Sequence, residues 1–425
     1  MQTGSFFEMW RGLIGAAVLL LIAVALSTNR RAIRPRVVLS ALVLQFAIGA
    51  LVLFVPVGRD FLHACANGVN DILDYGSHGI EFLFGGLVQG KMFAVFGDGG
   101  FVFALRVLPQ IIYVSALVAV LYHLGLMQAI ARGLGAVVEK LIGVSAIEAF
   151  SAVTTIFLGQ SEMPVAIKPF VPRLSRAELF AVLSSGVSSV AGSVLAGYAG
   201  LGVPMEYLIA ASFMAIPGGL LFAKLLVPTT EPSGVTTMKL DFDEHKAVNI
   251  IEAAAIGAAN GLKLAVAVGA MLIAFIGLIA LVNGLLHGVG VWIGQPQLSL
   301  EWLLGYAFSP IAYLIGVPWR HAELIGSFIG QKLVFNEFVA YVNFSPYLKH
   351  TAALALNDRT LAITSFALCG FANFSSIAIL LGGFGGVAPG RRGEVAKYGL
   401  RAVLAGTLSN LMSATIAGIF LQFGH

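Results

Sequence analysis

Eight stretches of this 425-residue chain are long and apolar enough to cross a bilayer: roughly 11–28, 37–57, 102–127, 176–200, 204–227, 262–287, 354–382 and 398–421. A helical span needs about 20 mostly apolar residues, because the hydrocarbon core is about 30 Å thick. A soluble domain has no core large enough to hide so many such runs. Charged residues make up 11% of the chain and hydrophobic residues 58%, with 50 glycines, whereas soluble proteins carry about 25% charged residues. The bilayer is therefore the solvent for most of the surface, and the chain is expected to be an all-α polytopic membrane protein. Its two cysteines, Cys65 and Cys369, are too few for a disulfide framework or a thiolate metal site. The net charge of +4 comes from scattered Lys and Arg, which suits loop placement and excludes nucleic acid as a partner.

The first apolar stretch lacks a basic leader and is followed by Asn29-Arg30-Arg31, Arg34 and Arg36. This flank reads as a stop-transfer signal rather than a cleavable signal peptide. The positive-inside rule places it in the cytoplasm. Threading eight spans from there puts Arg132, Lys140, Lys168, Arg173 and Arg176 inside as well, with both termini outside. Residues 60–78 and 241–260 are amphipathic and mildly charged, the pattern of helices lying in the membrane interface.

Two other apolar segments, 143–172 and 320–345, are each broken midway by polar residues, Gly159-Gln160-Ser161-Glu162 in one and Asn336-Glu337 in the other. A straight span with a carboxylate at its centre is costly in lipid. A re-entrant hairpin turning at the polar cluster avoids that cost if it faces protein or a water-filled cavity. The two segments belong to a repeat. Leu141-Ile142-Gly143-Val144 recurs as Leu314-Ile315-Gly316-Val317, and Ser184–Ser189 parallels Leu368–Asn373. Each copy reads as a broken hairpin, then a span interrupted by Gly and hydroxyl residues, then another span. By span counting the first hairpin enters from the cytoplasm and the second from outside, so the copies are inverted, as in many secondary transporters. The expected layout is about eight transmembrane helices, two inverted re-entrant helical hairpins and interfacial helices. Its divisions are a scaffold block 1–127, a first repeat 128–227, a connecting scaffold segment 228–300 and a second repeat 301–425.

Carboxylates at span depth are functional by default, which singles out Glu162 and Glu337. With Gln160 and Asn336 they offer donors and acceptors for a polar solute such as a base or sugar. The competing reading pairs each Glu with Lys168 or Lys332 simply to hold a hairpin. Asn373 and Ser376 lie three apart, hence on one helical face, and Phe371 is available to stack on a planar ring. Ser184, Ser185, Ser188 and Ser189 suit either a hard cation or close helix packing. No HExxH, nucleophile elbow or phosphate-gripping loop is present, so the chain is expected not to be an enzyme and to need no organic cofactor. A passive solute channel, and less readily an intramembrane hydrolase, are the rival readings.

The run Gly330-Gln331-Lys332-Leu333-Val334-Phe335-Asn336-Glu337-Phe338-Val339-Ala340 joins Gly159-Gln160-Ser161-Glu162 and Phe371-Ala372-Asn373-Phe374-Ser375-Ser376 in a pattern that resembles the concentrative nucleoside transporter family, in its bacterial eight-span form. The resemblance covers nearly the whole chain. It implies a cation-coupled nucleoside symporter of the inner membrane, working as a homotrimer by elevator-like alternating access and importing nucleosides such as uridine. Carried onto matching positions, Gln160, Ser161 and Glu162 would address the nucleobase, and Glu337, Asn373 and Ser376 the ribose. Phe371 and Val194 would pack against the base. The family's sodium site maps onto Thr155, Leu158, Ser189 and Val190. Thr155 departs from the family's Asn and Ser161 from the Thr common in sodium-coupled members, and both departures resemble the proton-coupled bacterial branch. The coupling ion is accordingly H+ or Na+, with protons favoured and Glu337 or Glu162 as the carrier.

Overall fold

The computed structural model describes residues 2–235 and 247–422, and every regular element among them is helical. The chain opens with α1 (Gln2–Ala25) and α2 (Pro35–Leu53), then α3 (Pro56–Phe84). Short turns α4 (Lys91–Phe96) and α5 (Phe103–Arg106) lead into α6 (Leu108–His123). The first repeat comes next as α7 (Leu126–Ile142), α8 (Ala146–Thr154), α9 (Met163–Ala166), α10 (Arg176–Ser188), α11 (Gly192–Gly200) and α12 (Met205–Leu226). After α13 (Ile250–Trp292) the same order returns as α14 (Leu300–Leu314), α15 (Trp319–Val334), α16 (Glu337–Leu348), α17 (Asp358–Leu368), α18 (Ser375–Val387) and α19 (Arg392–Phe420).

Both hairpins are present as helix, break, helix. In the first, α8 ends at Thr154 and irregular chain runs to the single turn of α9. The second arm stays short because Pro164, Pro169 and Pro172 remove backbone donors in quick succession. In the second, only Phe335 and Asn336 separate α15 from α16. Asn336 Oδ1 accepts the Val339 N–H at 2.9 Å and so caps the new helix. The four-letter repeat falls on the same junction in both copies. Gly143 and Gly316 have φ of +81° and +115°, a left-handed conformation that favours glycine, and each turns the chain into its hairpin. The flanking Ile142, Val144, Ile315 and Val317 are buried.

Among the described residues six helical segments are long and apolar enough to cross a membrane: Pro35–Leu53, Phe103–His123, Arg176–Gly200, Met205–Leu226, Ile250–Trp292 and Pro389–Phe420. Adding α1 and the interrupted α17–α18 pair makes the layout compatible with the eight spans expected. The stretch 354–382 is interrupted as its Gly and hydroxyl residues implied: helix begins at Asp358 and breaks between Leu368 and Ser375. One expectation is corrected, that of a separate interfacial helix over 241–260. Residues 241–246 lie outside the described residues, and from Ile250 the chain runs unbroken through the span as α13, 43 residues long. Asn249 Oδ1 caps its start by accepting the Glu252 N–H at 2.9 Å, and no proline interrupts it. At about 1.5 Å per residue it extends about 65 Å, twice the hydrocarbon thickness.

Helices of the stretch 1–127 pack on different neighbours. Helices α1 and α2 lie against α12 and α19, within the body of the repeats, whereas α6 lies along α13. Small residues bring that last pair together. A Cβ on Gly257 would sit 2.6 Å from the Ser115 carbonyl oxygen and from Ala119 Cβ, and one on Gly261 2.7 Å from Ile112 Cα. Close backbone approach of this kind is how helices associate without a hydrophobic drive. Gly257→Leu is therefore expected to destabilise the protein by about 1–3 kcal/mol through overpacking, seen as a lower melting temperature in detergent.

Candidate functional site

The repeats cross at their breaks. Hairpin 2 packs on the broken helix of the first repeat: the Tyr198 ring on α11 lies 4.8 Å from Phe338 and 4.6 Å from Tyr341 of α16. Hairpin 1 packs on the broken helix of the second repeat, where a Cβ on Gly383 of α18 would meet the Ser161 carbonyl oxygen at 3.3 Å and Pro164 at 3.4 Å. Between them lies a cavity lined by Gln160, Ser161, Glu162, Val194, Glu337, Phe371, Asn373 and Ser376. Residues from hairpin tips and helix breaks scattered over more than 200 positions thus reach one space.

Glu337 opens α16 and is buried. Its Oε1 accepts the Tyr198 hydroxyl at 2.9 Å and its Oε2 the Asn373 side-chain N–H at 2.9 Å. Asn373 Oδ1 in turn accepts the Ser376 N–H at 2.9 Å and the Ser375 hydroxyl at 2.7 Å. Gln160 Nε2 donates to Ser376 Oγ at 2.8 Å, while Gln160 Oε1 is buried without a hydrogen-bond partner. The chain Tyr198–Glu337–Asn373–Ser376–Gln160 therefore links both repeats and leaves an amide acceptor unused at its edge. Ser161 and Glu162 are exposed beside it. Such an array can accept from hydroxyls and read the polar edge of a ring, with Phe371 offering an aromatic face.

A second network underlies the first. Asn410 on α19 donates to the Ser188 carbonyl at 2.7 Å and the Cys369 carbonyl at 2.9 Å, one at each helix break. Its Oδ1 accepts from Lys332 Nζ at 2.7 Å, and Lys332 also donates to the Ala367 carbonyl at 2.8 Å. Helix ends leave carbonyls unpaired, and inside a membrane protein each needs a partner. Asn410 supplies two of them. Phe371 N–H adds a third tie, donating to the Ser189 carbonyl at 3.2 Å. Gly370 makes room, since a Cβ there would lie 2.2 Å from Asn410 Oδ1.

The structure sorts the remaining sequence-based candidates. Lys332 directs its ammonium to Asn410 and Ala367, and the hydrogen bonds on Glu337 come from Tyr198 and Asn373, so the Glu337–Lys332 pairing gives way to this network. Asn373 and Ser376 are not related by helical spacing, because α18 starts only at Ser375; the Asn373 side chain joins them instead. Asn336 lines the cavity while capping α16. Ser188 Oγ donates to the Ser184 carbonyl at 2.6 Å, and a Cβ on Gly219 would lie 3.0 Å from Ser188 Oγ, which is the close-packing role.

Thr155, Leu158, Ser189 and Val190 lie at two breaks that adjoin. A Cβ on Gly192 would lie 3.7 Å from the Ile156 carbonyl oxygen, and one on Gly159 3.4 Å from Ala191 Cβ. Thr155 Oγ1 donates to the Ala152 carbonyl at 2.9 Å. Among the described residues no cluster of His, Cys, Asp and Glu could hold a metal ion, so any cation site here would depend on hydroxyls and carbonyls, the donor set that suits a hard monovalent ion. Tyr198 and Asn410 were missed from the sequence. Asn410 carried a signal, as an amide in the middle of an apolar span.

Comparisons with known proteins bear on the family and the fold. The family models described as Na+ dependent nucleoside transporter N-terminus and C-terminus match residues 14–87 and 207–418, and one described as nucleoside recognition matches 104–205. The nucleoside permease NupC of Helicobacter pylori is 48% identical over 98% of this chain and 98% of its own. A solved structure of CNTnw in an inward-facing substrate-bound state is 54% identical, with a TM-score of 0.94 over 98% of this chain and 99% of that one. An outward-facing structure of a variant of the same protein matches with a TM-score of 0.95 over the same shares.

Proposed function

Because the chain belongs to the concentrative nucleoside transporter family, and is a multi-pass membrane nucleoside transporter rather than an enzyme, we propose that it imports nucleosides such as uridine across the inner membrane by cation symport. The observation that carries the reading is the single cavity in which all eight expected substrate residues meet. Glu337 and Asn373 would hold the ribose hydroxyls with Ser376. Gln160, Ser161 and Glu162 would read the base, between Phe371 and Val194. The assembled site needs both hairpins and both broken helices, so an ion that favours their closed arrangement also raises affinity for the nucleoside, and the reverse holds by linkage.

The walls of the cavity support elevator-like movement. Its polar groups belong to the repeats, whereas α13 contributes only Leu264, Val268 and Met271. An apolar wall makes no hydrogen bonds that sliding would have to break. In this reading α6 and α13 belong to a static frame, with α3, and the repeats move with α1 and α2 packed on them. The frame would assemble as a homotrimer in the bilayer, with both chain termini on the periplasmic side.

For the coupling ion the reading favours protons, carried by Glu337 or Glu162, on the ground that Thr155 stands where the family's sodium site has Asn. Sodium remains the family's named ion, and the adjoining breaks at Thr155–Leu158 and Ser189–Val190 would hold it. Uptake into proteoliposomes under sodium and pH gradients imposed separately decides between them. Saturable accumulation driven by the pH gradient alone is the expected result; accumulation driven only by sodium would reverse the ion assignment. Equilibration without accumulation under either gradient would instead mark a passive channel.

A further inference from the structure

The central cavity continues into a larger one. Ser161, Glu162 and Ser193 line both, and beyond them a vestibule of about 510 Å³ opens between hairpin 1 and the α6–α13 pair, on the side that bears Lys168. That volume lies within the range of about 300–1,000 Å³ usual for small-molecule sites. Its wall is unlike the apolar face that α13 shows the central cavity. Tyr122, His123 and Gln128 line it, and Asn260 faces it from α13.

Three of these side chains have a buried polar atom without a hydrogen-bond partner: Tyr122 Oη, His123 Nδ1 and Gln128 Oε1. The Gln128 amide orientation is fixed by its other contact. Nε2 donates to the Tyr122 carbonyl at 2.7 Å, and only the nitrogen can donate, so the oxygen is left as a free acceptor. A buried polar group left unpaired costs about 1–3 kcal/mol, and these three belong to residues that line one cavity. Phe157 adds an aromatic surface on the hairpin side.

We propose that this vestibule is a second nucleoside station on the path between the central site and that side of the membrane. Tyr122 Oη, His123 Nδ1 and Gln128 Oε1 take over the hydrogen-bonding groups of a nucleoside that has left Gln160, Glu337 and Asn373. The frame thus offers a polar landing place next to the moving site, and the nucleoside exchanges one set of partners for another without crossing a wholly apolar passage. The station is weaker than the central site, because its groups come from the frame and one hairpin and do not close around the ligand. The inference rests on nucleoside transport and not on the choice of coupling ion.

Photolabelling of the full chain in membranes with 5-azidouridine and 8-azidoadenosine, followed by peptide mapping, tests it. In the Glu337→Gln protein, whose central site is disabled, label is expected on the segment 115–128 and is displaced by excess unlabelled nucleoside. Adding Tyr122→Phe and Gln128→Leu is expected to reduce that label about 5-fold or more, since each hydrogen bond is worth about 1 kcal/mol net. With Glu337 intact, the same double variant is expected to label normally at 371–376 but to slow nucleoside counterflow by about 3–10-fold, the equivalent of one such bond. Label at 371–376 without saturable label at 115–128 overturns the proposal and leaves a hydrated lining. So does label at 115–128, or counterflow, that is indifferent to the double variant. Absence of label at both segments in the protein with Glu337 intact would count against the central nucleoside site itself.

Discussion

Glu337→Gln is expected to lower nucleoside uptake into proteoliposomes by more than about 100-fold while the protein still purifies as a folded species. The carboxylate accepts from two donors, the Tyr198 hydroxyl and the Asn373 side-chain N–H. A carboxamide can accept from Asn373 through its oxygen and donate its own N–H to the Tyr198 oxygen, but neither bond is then to a charged group. Hydrogen bonds to a charged group contribute about 1.5–3 kcal/mol against about 1 for neutral ones, and every 1.4 kcal/mol is about tenfold in affinity. Losing the charge from these bonds and from those to the ribose accounts for the expected loss. The fold survives because the helix cap at Asn336 and the Tyr341–Ser365 hydrogen bond at 2.8 Å do not involve Glu337. Uptake within about threefold of normal, less than one ordinary hydrogen bond, would refute its role in binding.

The second large effect is expected at Asn410, which is not among the residues that line the cavity. Asn410→Leu leaves the Ser188 and Cys369 carbonyls without their donor and Lys332 without one acceptor. At about 1–3 kcal/mol for each group stranded in a dry interior, the protein should lose at least about 3 kcal/mol of stability. The measurement is thermal unfolding in detergent, with and without nucleoside. The variant should melt several degrees lower, and added nucleoside should no longer raise its melting temperature, because ligand stabilises only a native state that binds it. Asn410→Asp is the informative companion. It keeps the acceptor for Lys332 but turns both donors into acceptors facing carbonyls, so it should resemble the leucine variant. Gly370→Ala should do the same by displacing Asn410, given the 2.2 Å approach. A normal nucleoside-induced shift in all three would remove the node from the account of the site.

Much of the site could be read without coordinates because of the solvent. In a chain with 11% charged residues, a carboxylate flanked by amides at span depth has few innocent explanations. Gln160, Glu162 and Glu337 declared themselves this way, and the polar run at 371–376 did so by its second copy. Tyr198 did not, since a tyrosine in an apolar helix looks like any packed aromatic until its hydroxyl is seen against Glu337. The misreading of 250–260 has a similar origin. Mild amphipathicity there reflects one face of α13 packing on α6, and a local window cannot distinguish that from a helix lying in the interface.

The sequence by itself determined the solvent, the helical class, the repeat and its two hairpins, and the residue types available for recognition. These come from hydrophobic run length and from the cost of isolated polar groups in lipid, both local properties of the chain. Only the tertiary structure decided which polar groups share a space. Gln160 meets Ser376 and Tyr198 meets Glu337 across 216 and 139 positions, because each hairpin docks on the broken helix of the other repeat. It also decided how the breaks are tolerated, through an asparagine that supplies the hydrogen bonds the interrupted helices leave unmade. Neither result is encoded in a run of residues, since satisfying a backbone carbonyl inside a membrane depends on its neighbours in space and not on its neighbours along the chain.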